Sequence, residues 1–207
     1  MTQILLTRHG HVDGIDPPCF RGRADLPLTA LGEAQAKAVA KRIAARWRPR
    51  AVYTSPMARC VATGRHIASD CRIESEVLQP LNDLDYGRWQ GMSHDEARAA
   101  EPDLFEAWFA TPHLIRFPGG DSLQDLMARG ADALRFVLER HAGDAEAVVL
   151  VGHDSVNRAL LLQLLDQPLS AYWRIIQNPC TLNEIDIRGG RVRALRINET
   201  AHLDGLG

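Results

Sequence analysis

The stretch Gln3-Ile4-Leu5-Leu6-Thr7-Arg8-His9-Gly10 decides how this chain is read. Ile4, Leu5 and Leu6 follow one another without polar alternation, the pattern of a strand buried on both faces. The run ends on a cation, an imidazole and a glycine. In an open α/β sheet, ligands bind outside the carboxyl ends of strands, so these three residues stand where chemistry is expected. A neutral imidazole can attack phosphorus, and a neighbouring guanidinium can hold phosphoryl oxygens. A tripeptide also recurs by chance, so the other strand ends must decide.

Strands are expected at residues 3–7, 51–54, 72–76 and 147–151, and the first, second and fourth read as buried. Residues 29–47 carry Leu31, Ala34, Ala38 and Ile43 near helical spacing, with Thr29 as cap. A helix should follow Ser55-Pro56, since proline suits a first turn. Ser93 and Glu96 have capping-box spacing. The aromatic segment 101–111 reads as a core helix in preference to a flap over a pocket, because apolar helical spacing normally means burial. After Gly119-Gly120-Asp121-Ser122 a long helix should run to about His141, and another should span 155–165. Residues 181–187 and 191–197, joined by Gly189-Gly190, read as a hairpin. Alternating strands and helices imply an α/β fold, a three-layer α/β/α sandwich around a mostly parallel, mixed sheet. A single domain over residues 1–207 is expected.

The formal charge of -2 argues against a nucleic-acid or membrane-surface partner. An anion site must then be a local cluster of arginines. Cys19, Cys60, Cys71 and Cys180 form no C-x-x-C pair and read as reduced thiols. No signal-peptide pattern or membrane-length apolar run occurs, so a cytoplasmic location is expected. A homo-oligomer is neither required nor excluded.

Two further strand ends carry chemistry. Thr54-Ser55-Pro56-Met57-Ala58-Arg59 puts Arg59 early on a helix whose amino end favours anions. Gly152-His153-Asp154 follows the apolar run Val148-Val149-Leu150-Val151. Taken alone, Arg59 reads first as a surface ion pair, and His153 equally as a hydrogen-bonded core residue or a ligand. If the strands are neighbours, Arg8, His9, Arg59 and His153 surround one small volume. That volume suits a phosphomonoester, because phosphoryl transfer needs donors around three equatorial oxygens and attack in line with departure. A proton donor to the leaving oxygen must also be in reach. The loop Leu81-Asn82-Asp83-Leu84-Asp85-Tyr86-Gly87 offers two carboxylates, or is merely a solvated acidic loop.

These motifs, in this order, resemble the histidine phosphatase (phosphoglycerate-mutase-like) superfamily over nearly the full length of the chain. The resemblance implies a phosphatase whose phosphorylated residue is His9, with Arg8, Arg59 and His153 binding phosphate. It makes Asp83 the proton donor, although the small phosphatases usually carry glutamate there; Asp85 and Asp154 are alternatives. Arg21 and Gly22, in Phe20-Arg21-Gly22-Arg23, fall where members approach substrate. His11 is either a substrate contact or a loop residue. The segments 81–91, 118–122 and 198–203 resemble the small branch that includes alpha-ribazole phosphatase. The lack of a longer middle insertion favours hydrolysis of a small phosphorylated metabolite over mutase transfer.

No cofactor and no metal are expected. A metallohydrolase reading of His9, His11, Asp83, Asp85, His153 and Asp154 has suitable ligand types, but two arginines aimed at the same volume oppose a cation. A phosphate-binding regulatory module with little turnover is a further alternative. His66, His94, His113, His141 and His202 read as surface or hydrogen-bonded residues, and Trp89 as a packing anchor.

Overall fold

The sheet expected from the apolar runs forms: the four runs and the two hairpin strands join in one six-stranded sheet. The computed structural model describes residues 2–143 and 147–206. In chain order the elements are β1 (Thr2–Arg8), α1 (Ala30–Arg46), β2 (Pro49–Thr54), α2 (Ala58–Cys71), β3 (Ser75–Val77), α3 (His94–Ala100) and α4 (Pro102–Ala110). Then come α5 (Leu123–Arg140), β4 (Ala147–Gly152), α6 (Asp154–Leu164), β5 (Leu182–Arg188) and β6 (Arg191–Glu199). The strand order is β3-β2-β4-β1-β5-β6. β3, β2, β4 and β1 pair parallel with one another in that order, while β5 pairs antiparallel with both β1 and β6.

Strand alternation separates two cores, one on each face of the sheet. Ile4, Leu6, Tyr53, Val148 and Leu150 point to the face covered by α4, α5 and α6. Leu5, Val52, Val149 and Val151 point to the face covered by α1 and α2, where they meet Val39, Ile43 and Ile67. Both faces are filled, which explains why these strands carry no polar alternation. Trp89 is fully buried in the first core, as a packing anchor should be.

Helix starts follow their capping signals. Thr29 Oγ1 accepts from Gly32 N at 3.1 Å and caps α1. Ser93 with Glu96, and Ser122 with Asp125, close reciprocal capping boxes on α3 and α5. Two expectations move. α2 begins two residues after Pro56, because Ser55 N still extends the sheet by donating to Val151 O at 3.0 Å. β3 lies at Ser75–Val77 and not at 72–76, because α2 runs to Cys71 and Arg72 takes a left-handed cap with φ 58°. The hairpin turn at Gly189 and Gly190 has positive φ at both residues, as a tight β5–β6 connection demands. Among the described residues no helix is long and apolar enough to cross a membrane.

Candidate active site

β1, β4 and β2 are adjacent and parallel, so their carboxyl ends share one edge. Arg8 stands opposite Gly152, and Thr54 opposite Val151. His9 N donates to Gly152 O at 3.0 Å, which carries the pairing one residue past the strand. Gly10 is required here: a Cβ would sit 2.4 Å from Gly32 O, where the loop crosses α1.

The three strand ends bring His9 and His153 together, with ring centroids 5.3 Å apart. Arg59, in the first turn of α2, is fully buried beside them. Its Nη1 donates to Ala24 O at 2.7 Å, and its Nη2 to Gly22 O at 2.7 Å and Asp83 Oδ2 at 3.1 Å. Gly22 therefore holds Arg59 through its carbonyl. It also needs to be glycine, since φ is +43° and a Cβ would lie 2.9 Å from Leu84 O. Arg8 Nη1 donates to Gln177 O at 2.7 Å. The Nε–H groups of both Arg8 and Arg59 are buried without a hydrogen-bond partner among the described residues, and buried donors of charged groups normally have one.

The imidazoles have defined roles. His9 Nδ1 lies 2.7 Å from Gly10 O, and a carbonyl only accepts, so Nδ1 carries the proton. Burial first, then the charges of Arg59, His153 and Arg8, hold the ring's pKa well below the ordinary 6.5. His9 is therefore neutral near pH 7, with an Nε2 lone pair. His153 is lowered likewise by burial and by Arg59 and Arg8. Its approach to Asp83 does not need a charged ring: Nδ1 lies 3.3 Å from Asp83 Oδ2, while Nε2 pairs with Ser55 Oγ at 2.7 Å.

These shifts set a pH dependence. A histidine whose folded pKa lies below its unfolded value takes up protons mainly in the unfolded chain as pH falls below 6.5. Stability should therefore be full above pH 6.5 and decline below it, through the depressed folded values of His9 and His153. Urea titrations at pH 7.5, 6.5 and 5.5 should give a falling midpoint. Flat midpoints would remove the two rings as buried neutral groups.

The expected carboxylates separate clearly. Asp83 is in the cup, where its two oxygens accept from Arg59, Leu84 N (2.9 Å) and the Ser155 hydroxyl, with His153 Nδ1 3.3 Å from Oδ2. Asp85 is not: it pairs with Arg23 at 3.0 Å, in a network with Asp121 and Arg129. Asp154 opens α6 and pairs with Arg158 at 3.0 Å. His11, read as either a substrate contact or a loop residue, has local partners in the structure. Its Nδ1 bonds Thr29 Oγ1 at 2.9 Å and its N–H bonds Gln35, so it fastens the loop to the start of α1.

A cavity of about 290 Å³ adjoins this cup through Arg8. Arg21, Asp154 and Arg158 supply its charges, and Tyr86, Trp108, Phe109 and Trp173 its aromatic walls. The α4 helix is thus both core and wall: Phe105 and Trp108 are buried while Phe109 is half exposed over the cavity. His94, read as an ordinary histidine, also lines it. Arg158 was missed in the sequence, although a cation inside the apolar Val156–Leu164 pattern, four residues after Asp154, was a signal that could have found it; Gln177 and Asn178 gave no local signal. Among the described residues no group of three or more histidine, cysteine, aspartate or glutamate side chains is placed to hold a metal.

Residues 4–200 match the family described as the histidine phosphatase superfamily, branch 1. The chain belongs to this superfamily. It is 30% identical over 203 residues to phosphoserine phosphatase 1 of Hydrogenobacter thermophilus, covering 98% of this chain and 95% of the relative. It is 29% identical over 209 residues to the metal-independent phosphoserine phosphatase of Arabidopsis thaliana, covering 100% and 85%. The solved structure of Bacillus stearothermophilus YhfR superposes with a TM-score of 0.91 at 28% identity, covering 99% of this chain and 100% of that one. The family and these relatives make the chain a phosphatase.

Proposed function

We propose that the enzyme hydrolyses a small phosphomonoester through a phosphohistidine at His9, and that its substrate is an anionic metabolite of the phosphoserine kind. The observation that carries the reading is the commitment of His9 Nδ1 to Gly10 O, which leaves Nε2 as a neutral nucleophile among buried guanidinium groups. The names of the two relatives support phosphoserine. Arg21, on the cavity wall, suits the carboxylate of such a molecule.

In this scheme Arg8, Arg59 and His153 hold the phosphoryl oxygens. His9 Nε2 forms a bond to phosphorus as the ester P–O bond breaks, and Asp83, entering as the carboxylic acid, gives its proton to the leaving oxygen and becomes a carboxylate. Water then attacks phosphorus, the N–P bond breaks, and the water proton returns to Asp83. Inorganic phosphate leaves and His9 is restored. The guanidinium groups supply the charge stabilisation that the transition state needs. Four free thiols fit a reducing compartment, and we place the enzyme in the cytoplasm.

Rapid mixing with O-phosphoserine, quenched in alkali, should trap one acid-labile and base-stable phosphoryl group per chain, followed by steady release of free phosphate. A rearranged phosphate ester would mark a mutase. Binding with neither phosphoenzyme nor phosphate release would mark a sensor.

A further inference from the structure

One carboxylate faces three guanidinium groups around the substrate cavity. Asp154, the first residue of α6, lines it together with Arg8, Arg21 and Arg158. Asp154 Oδ1 accepts from Arg158 Nε at 3.0 Å. Arg158 is itself fixed: its Nη1 donates to Tyr172 O at 3.2 Å, and its guanidinium lies 5.3 Å from the Tyr172 ring and 4.8 Å from the Trp173 ring. This rigid partner sets the orientation of the carboxylate. No hydrogen bond from a described residue reaches Oδ2, and the side chain is 28% exposed. Asp154 is also the strongest opposing charge acting on Arg8, so it stands next to the cation that joins the cavity to the phosphoryl cup.

We infer that Asp154 is a specificity residue that reads a primary ammonium group on the substrate, next to the carboxylate. The inference rests on the proposed hydrolase reading, with its nucleophile at His9. Guanidinium groups alone favour whichever ligand carries most negative charge. By that criterion a hydroxy-acid phosphate would outcompete the matching amino-acid phosphate. One fixed carboxylate reverses the preference at a single position. The other polar wall groups cannot do so. The Gln177 and Asn178 side chains are neutral amides, and the Tyr86 hydroxyl is held neutral by burial, which raises its pKa. Neutral oxygens accept from either a hydroxyl or an ammonium and separate them weakly, whereas an anion adds a full charge attraction to the ammonium alone. Asp83 is not available for this role, because it sits in the cup beside Arg59 and does not line this cavity.

O-phosphoserine and 3-phosphoglycerate form the decisive pair, because they differ at carbon 2 only by ammonium against hydroxyl. The readout is the ratio of their kcat/KM values, which cancels any general loss of folded enzyme. The native enzyme should prefer phosphoserine by at least about 10-fold. Asp154→Asn keeps an oxygen for Arg158 Nε but removes the charge, and should lower the ratio by at least about 10-fold. Asp154→Glu keeps the charge and should retain a clearly higher ratio than Asp154→Asn. A native ratio near one, or a ratio unchanged in Asp154→Asn, overturns the inference. So does an equal collapse of both substrates in Asp154→Asn and Asp154→Glu, which would put Asp154 in the chemistry. Trapping the phosphoenzyme in parallel separates the two failures. A native enzyme without phospho-His9 defeats the hydrolase reading and this inference with it; a normal phosphoenzyme with an invariant ratio defeats this inference alone.

Discussion

His9→Ala is expected to lower turnover by on the order of 10⁴-fold or more, the scale seen when a covalent nucleophile is removed. The phosphoenzyme should vanish in the same variant. The two losses must travel together, because a single nitrogen carries both. Nothing else in the cup can take over. His153 is neutral too, but its Nδ1 faces Asp83 and its Nε2 pairs with Ser55. Cys60 Sγ lies 3.5 Å from His153 Nε2, yet burial pushes its thiol pKa well up, so it stays protonated and is a poor nucleophile. The variant should bind phosphate at least as well as the native enzyme, since Arg8 and Arg59 remain. His9→Ala that still accumulates a phosphoenzyme, or that turns over within 10-fold of native, would move the nucleophile elsewhere.

The proposed nucleophile was legible in the sequence because its signal is local. A buried strand announces itself by an unbroken apolar run, and the residue after it must emerge at a sheet edge. The same logic exposed Arg59 and His153, and the parallel registers bring all three to one edge. Asp83 was legible only as one of three carboxylates. What singles it out is tertiary: Arg59 arrives from α2, His153 from β4 and Ser155 from α6. His11 stayed open in the sequence between a substrate contact and a loop residue. Its place beside the motif is suggestive, but its ring nitrogen found Thr29, which the same loop brings near. The α4 aromatics were read for burial, and periodicity reports burial truthfully. It does not report that a cavity lies beside the buried ring of Trp108. Gln177 and Asn178 come from an irregular segment before β5, where neither period nor propensity marks a residue as part of a pocket wall.

Arg59→Ala should damage both rate and fold, and the two effects can be told apart. The fully buried guanidinium links the carbonyls of Gly22 and Ala24 to the carboxylate of Asp83. Truncation strands a buried carboxylate and two carbonyls, a loss of about 3–5 kcal/mol. Loss of a preorganised donor to the transition state should separately reduce kcat by about 10²–10³-fold. Arg59→Lys restores a charge but not the planar fork, so it should recover part of the stability and little of the rate. A third effect follows from the charges around His9. After burial, Arg59 is the largest influence lowering the His9 pKa. Removing it should let His9 protonate at higher pH, so the acid limb of kcat/KM moves upward in Arg59→Ala relative to native enzyme. A purely structural arginine would change the melting temperature without moving that limb. If the limb and kcat both stay at their native positions while the protein only melts earlier, Arg59 supports the loop and does not act on phosphate.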